Sequence, residues 1–245
     1  MATRLVHLVI DAADPAAAAR FWAAALDWEI EAEEAGEVSV SPPGFSYPGP
    51  SALPLVFVPV SEPKTVKNRV HLDLASASPE HQAALVERVI SLGASHLDLG
   101  QGDVPWAVLA DPAGNEFCVL EPRGVYAGTG PVAAVVVDCA DPEPMASFWA
   151  AAAGWVPGPA RDGLISLRSA DGAGPYLELM ASADPKAVKN RVHLDVAPFA
   201  GGDTPAEAAR LTELGATRAD IGQGDVSWIV LADPDGQEFC VLSPR

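Results

Sequence analysis

Two near-identical octapeptides place the same reactive groups at two points along the chain. KNRVHLDL spans 67–74 and KNRVHLDV spans 189–196. Each alternates apolar and polar residues, so Arg69, His71 and Asp73 share one strand face, as do Arg191, His193 and Asp195. Arg69 and Arg191 are fixed cations able to hold a carboxylate, enolate or carbonyl oxygen. The structural alternative is an ion pair with Asp73 or Asp103, and with Asp195 or Asp225 in the second segment. An imidazole beside an Arg favours its neutral form, so His71 and His193 read as bases or hydrogen-bond acceptors, or as core histidines satisfied by backbone. Trp106 and Trp228 follow on a later strand and can stack on a flat ligand or fill the space themselves. Cys118 and Cys240 each follow Glu-Phe in a strand pattern. They are nucleophiles if a base lies close, and small hydrophobes otherwise.

The elements that carry these groups occur twice. LGASHLDLGQGDVPWAVLADPAGNEFCVLEPR at 92–123 and LGATRADIGQGDVSWIVLADPDGQEFCVLSPR at 214–245 differ at nine of 32 positions, at an offset of 122. DAADPAAAARFWAAALDW at 11–28 matches DCADPEPMASFWAAAAGW at 138–155 at an offset of 127, so the first copy carries five extra residues. These are placed in the Pro/Gly-rich segment SPPGFSYPGP, 41–50. A period this long marks a duplicated domain, 1–123 and 131–245, with a Gly-rich linker near Gly124–Gly130.

Each copy reads as strand–helix–three strands, twice. Leu5–Ile10 and Arg69–Leu74 are strands. Asp14 caps a helix with Pro15 at its first position, and its apolar stripe carries Phe21, Trp22, Ala25 and Leu26. Ser78-Pro79 opens a second helix, closed at Gly93. Thr204-Pro205-Ala206-Glu207 has capping-box spacing, and Gly215 closes that helix. Shorter strands are expected near 28–32, 37–41, 54–60, 95–99, 105–110 and 116–121. Asp111-Pro112 and Asp233-Pro234 shape hairpins. Helices on one sheet face leave the other to curve around a space.

Composition narrows the partners. The formal net charge is −18, from 33 acidic and 15 basic residues. Nucleic acid and anionic membrane both need a basic footprint, so neither is expected. The start of the sequence reads as no signal peptide, and no window approaches a membrane span. Three cysteines without close spacing fit a reducing, cytoplasmic protein. Monomer and homodimer are both compatible with a duplicated chain.

DxxDPxxxxxFW near the start of each copy and LADPxGxEFCVL at its end resemble the vicinal oxygen chelate superfamily, the glyoxalase-like and bleomycin-resistance-like proteins. The resemblance covers nearly the whole chain. It implies an α+β fold in which four βαβββ modules form two tandem glyoxalase-like open barrels, each around a cavity. Metal-dependent relatives carry a His, Gln or Glu ligand on each of four strands. By register those positions are His7, Val56, Arg69 and Cys118 in the first copy, and Ala134, Glu178, Arg191 and Cys240 in the second. Arginine cannot ligate a metal, so the expectation is no cofactor; a one-residue register shift, or ligands such as His71 and His193, would restore one. His7 and Glu178 have no counterpart in the other copy, so the two cavities are expected to differ.

The resulting expectation is a protein that binds a small organic molecule without a catalytic metal. Its ligand contacts are His7, Arg69, Trp106, Cys118, Arg191, Trp228 and Cys240. The alternative is a lyase or isomerase, of glyoxalase or metal-dependent dioxygenase type, in which His71, His193 or Glu178 moves a proton.

Overall fold

The computed structural model describes residues 3–34, 36–47, 52–161 and 163–245. Module one is β1 (Arg4–Ala12), α1 (Pro15–Leu26), β2 (Glu29–Glu34), β3 (Glu37–Ser41) and β4 (Leu55–Pro59). Module two is β5 (Val70–Leu74), α2 (Pro79–Ser91), β6 (Ser95–His96), β7 (Ala107–Ala110) and β8 (Glu116–Val119). A 3-10 turn at Gly124–Tyr126 leads to module three: β9 (Val132–Cys139), α3 (Pro142–Ala153), β10 (Val156–Arg161), β11 (Leu164–Arg168) and β12 (Tyr176–Ala181). Module four is β13 (Val192–Ala197), α4 (Thr204–Glu213), β14 (Thr217–Arg218), β15 (Ile229–Ala232) and β16 (Glu238–Val241).

The expected fold class stands: an α+β chain of four βαβββ modules in two eight-stranded mixed sheets. The sheets do not coincide with the sequence copies 1–123 and 131–245, however. One runs β14-β15-β16-β13-β1-β4-β3-β2 and joins modules four and one, the outer modules. The other runs β10-β11-β12-β9-β5-β8-β7-β6 and joins modules three and two, the inner modules. At each centre two modules meet antiparallel: His7 lies opposite Asp195, and His71 opposite Val136. Each sheet, and the face it presents, therefore draws on both copies.

Helix packing holds each copy together behind the sheets. Trp22 of α1 is 2 % exposed, lies edge-on to Phe117 at 5.2 Å, and donates from Nε1 to Asp111 Oδ2 at 3.1 Å. Trp149 of α3 does the same with Phe239 and with Asp233 Oδ2, at 5.2 and 3.2 Å. The first module of each copy is thereby fastened to the second through its helix, and one core cluster contains residues from all four modules. Asp111 and Asp233 are structural, as their hairpin position suggested. Each side chain also accepts from two backbone N–H groups of its own turn.

The helix signals hold with one change. Asp14 and Ser78 cap α1 and α2 from their side chains. At α4 the capping oxygen comes from Asp203, not from Thr204, whose hydroxyl donates to the Leu242 carbonyl. Glu207 is engaged by Arg210 instead of closing a capping box. Gly93 and Gly215 follow α2 and α4 at φ +111 and +114, a conformation that favours glycine. Of the segment 41–50 assigned the extra residues, 41–47 are described and 48–50 lie outside the described residues.

Candidate functional site

Strand alternation sends Leu8 and Ile10 of β1 into the helix-side core, and His7, Val9 and Asp11 to the opposite face. On β13 the same alternation buries Leu194 and presents His193 and Asp195 beside them. A cavity of about 1260 Å³ opens over this face of the outer-module sheet. Val56, Trp228 and Cys240 also line it, and it runs out between the segments that precede β5 and β13.

Its floor is a compact group. His193 Nε2 lies 3.6 Å from Asp195 Oδ1 and 3.6 Å from Cys240 Sγ. His7 Nδ1 lies 3.5 Å from the other oxygen, Asp195 Oδ2, and its Nε2 is 3.3 Å from the Arg245 guanidinium. Asp195 Oδ1 is buried without a hydrogen-bond partner. Burial lowers the pKa of His193 against the pull of Asp195, which keeps the imidazole neutral. Burial and then Asp195 push the Cys240 thiol well up. As placed, it is a protonated thiol and not a nucleophile.

The inner-module sheet carries the same set and has filled the space. His71 Nε2 is 3.6 Å from Asp73 Oδ1, and an atom of Cys118 completes a group within 4.8 Å. Here, though, Tyr126 from the linker lies on the face, 5 % exposed, edge-on to Tyr176 at 5.9 Å. Its hydroxyl donates to Glu178 Oε1 at 2.9 Å, and Ser166 Oγ donates to the same oxygen at 3.2 Å. Arg123 lies over the rings of Trp106 and Tyr126, at 5.5 and 5.9 Å. Leu120, Ala134 and Val136 complete a small buried cluster. Trp106 is therefore filler, while Trp228 remains on the cavity wall, 36 % exposed.

Glu178 is only 3 % exposed, and burial raises its pKa. A carboxyl raised in the fold contributes stability below its unfolded value, and this is lost as pH rises through the folded value. The wild type is expected to lose more stability than Glu178→Gln between pH 5 and pH 8, read as the slope of urea midpoints. Parallel slopes would show that Glu178 does not titrate in the fold.

Both arginines are anchored by backbone carbonyls. Arg69 donates to the Asp138 and Asp184 carbonyls and pairs with Asp235 at 3.2 Å. Arg191 donates to the carbonyls of Glu62 and Asp11, at 2.8 and 3.1 Å. Neither pairs with the aspartates named from sequence, because both forks reach across to the neighbouring module. The ligand sets expected within each copy are not assembled either. His7 and Val56 meet His193 and Cys240, whereas Ala134 and Glu178 meet His71 and Cys118. Arg69 and Arg191 share a face with these histidines but sit two residues away, at the strand entrances. Sequence reasoning gave Asp195 and Asp73 no site role, although their parity matched the histidines. It also passed over Tyr126 and Arg245.

Comparison with known proteins agrees with this architecture. The family model for the glyoxalase-like domain matches residues 7–120 and 134–242. The chain belongs to this glyoxalase-like family. Glyoxalase I from Zea mays is similar in structure at 14% identity, with a TM-score of 0.63, covering 99% of this chain and 92% of that one. A candidate dioxygenase from Bacillus subtilis is similar at 12% identity, with a TM-score of 0.64, covering 99% and 86%. At these identities the likeness concerns the fold. No curated protein matches the chain. Among the described residues no helix is long and apolar enough to cross a membrane.

Proposed function

We propose that the chain binds a small organic molecule in the outer-module cavity, over His193, Asp195 and Cys240, and that the inner-module sheet is a structural partner. One observation carries this reading. Two faces with the same His–Asp–Cys group differ in that one keeps a cavity of about 1260 Å³ and the other holds Tyr126. A large concave site with few convergent polar groups is the usual form of a ligand pocket. A thermal-shift screen of metabolites, run with and without a chelator, tests it. At least one compound class is expected to raise the melting temperature of the wild type, and much less that of His193→Ala. Absence of stabilisation by every class would overturn the reading.

A second reading, a metal-assisted lyase or isomerase, is favoured by the donor chemistry. Arg69 and Arg191, the ligand positions expected from sequence, cannot hold a metal. Register replaces them with His71 and His193. In the outer-module sheet a neutral imidazole, a carboxylate and a thiol offer atoms within 4.8 Å of one another, with His7 adjoining and Asp195 Oδ1 lacking a partner. These donors fit zinc or a similar divalent ion, which would draw the thiol to its thiolate form. Such an ion supplies Lewis-acid polarisation of a ligand oxygen. Around it, His7 would orient a ligand and Trp228 would cover it. Elemental analysis of the purified protein separates the readings: about one equivalent, lost in His193→Ala, supports the metal, and none supports metal-free binding.

A further inference from the structure

The duplication supplies an internal control for charge. In the inner-module sheet Arg123 is neutralised by Glu121, with Nε and Nη2 at 2.6 and 3.1 Å from the two carboxylate oxygens. The corresponding residues of the outer-module sheet, 122 positions later, are Arg245 and Ser243. The guanidinium is kept and its carboxylate is gone. Both residues line the cavity, and Arg245 touches His7, which reaches Asp195.

The same loss recurs at the other end. Arg69 pairs with Asp235, whereas Arg191 makes the equivalent carbonyl contacts, and the first copy has Ala113 at the sequence position matching Asp235. Among the described residues no carboxylate lies within ion-pair distance of Arg191 or Arg245. Both line one cavity with no carboxylate partner: Arg191 is held by two backbone carbonyls, and Arg245 by His7 and by the Tyr47 ring at 5.9 Å. Arg191 adjoins Asp11, whereas Arg245 adjoins His7, so they bracket the His193–Asp195–Cys240 floor along β1.

We propose that this cavity takes an organic carboxylate, whose anionic group sits on Arg245 in the place that Glu121 occupies on Arg123, with Arg191 as a second cation along its length. A planar guanidinium fork matches a carboxylate in two hydrogen bonds, and Ser243 leaves room and a hydroxyl donor beside it. Trp228 and Val56 cover the apolar body of the molecule. This assignment rests on the outer-module cavity being the ligand site.

Matched acid and amide pairs test it: benzoate with benzamide, phenylacetate with phenylacetamide, and 4-phenylbutyrate with its amide, titrated by calorimetry into the full chain. The acids are expected to bind at least about tenfold more tightly than their amides, the scale of one charge-assisted bond. Ser243→Glu rebuilds the ion pair of the other copy on an exposed residue and is expected to bring each pair within about twofold. Arg245→Gln is expected to do the same, and Glu121→Ser to leave the wild-type preference. Equal binding of acid and amide by the wild type overturns the carboxylate assignment and leaves the cavity reading standing. A preference that survives both Ser243→Glu and Arg245→Gln also overturns it. Absence of binding by all six compounds overturns the carboxylate assignment, while the cavity reading stands or falls on the thermal-shift screen.

Discussion

Trp149→Ala is expected to destabilise the fold by about 3–5 kcal/mol, the usual range for emptying a buried indole site. The ring is 2 % exposed and packs edge-on against Phe148 and Phe239. Its N–H is also one of the three donors that hold Asp233. Burial pushes the Asp233 pKa up to about 7, while those donors pull it down. Trp149→Phe keeps most of the packing and deletes only the donor, at an expected cost of about 1–3 kcal/mol. That cost should grow with pH. Losing a donor raises the folded pKa further, and a raised carboxyl loses its stabilising contribution as pH climbs through the folded value. Denaturant melts at pH 5 and pH 9 measure this. A penalty equal at both values would mean that Asp233 does not titrate in the fold between them.

The second large effect concerns which sheet works. Replacing His193 and Cys240 together by Ala is expected to weaken binding of the best-stabilising compound by about 100-fold, on the scale of losing a buried polar contact and the shape around it. The matching pair, His71→Ala with Cys118→Ala, is expected to change affinity by less than about twofold, since Tyr126 already occupies that face. Both doubles remove the same residue types from equivalent strands, so generic destabilisation affects them alike. Equal losses in the two would remove the distinction between the sheets.

Most of the fold was legible because it is written locally. Alternation in VHLDL, the Asp14-Pro15 and Ser78-Pro79 helix starts, and the glycines after α2 and α4 each fix an element without reference to the rest. Which modules share a sheet was not legible. VHLDL and VHLDV offer β1 almost the same partner, so strand pairing alone is degenerate between copies. The choice shows only in the helix contacts, where Trp22 and Trp149 fasten the two modules of each copy back to back.

The site was half legible for a related reason. Residues two apart share a strand face, so parity placed Arg69 with His71, and Arg191 with His193, without saying which reached the centre. Burial and the carbonyls that anchor each guanidinium decide it. The asymmetry between His7 and Ala134, and between Val56 and Glu178, did foretell unequal faces. Tyr126 left no such signal, because a linker aromatic has no periodicity to betray where it folds back.

A crystal structure of the chain with its best-stabilising compound is the most direct test of the account. Density is expected over His193, Asp195 and Cys240, between modules one and four, with the Tyr126 hydroxyl still on Glu178. Density over His71 and Cys118 with Tyr126 displaced, or a compound lodged within one sequence copy, would contradict it.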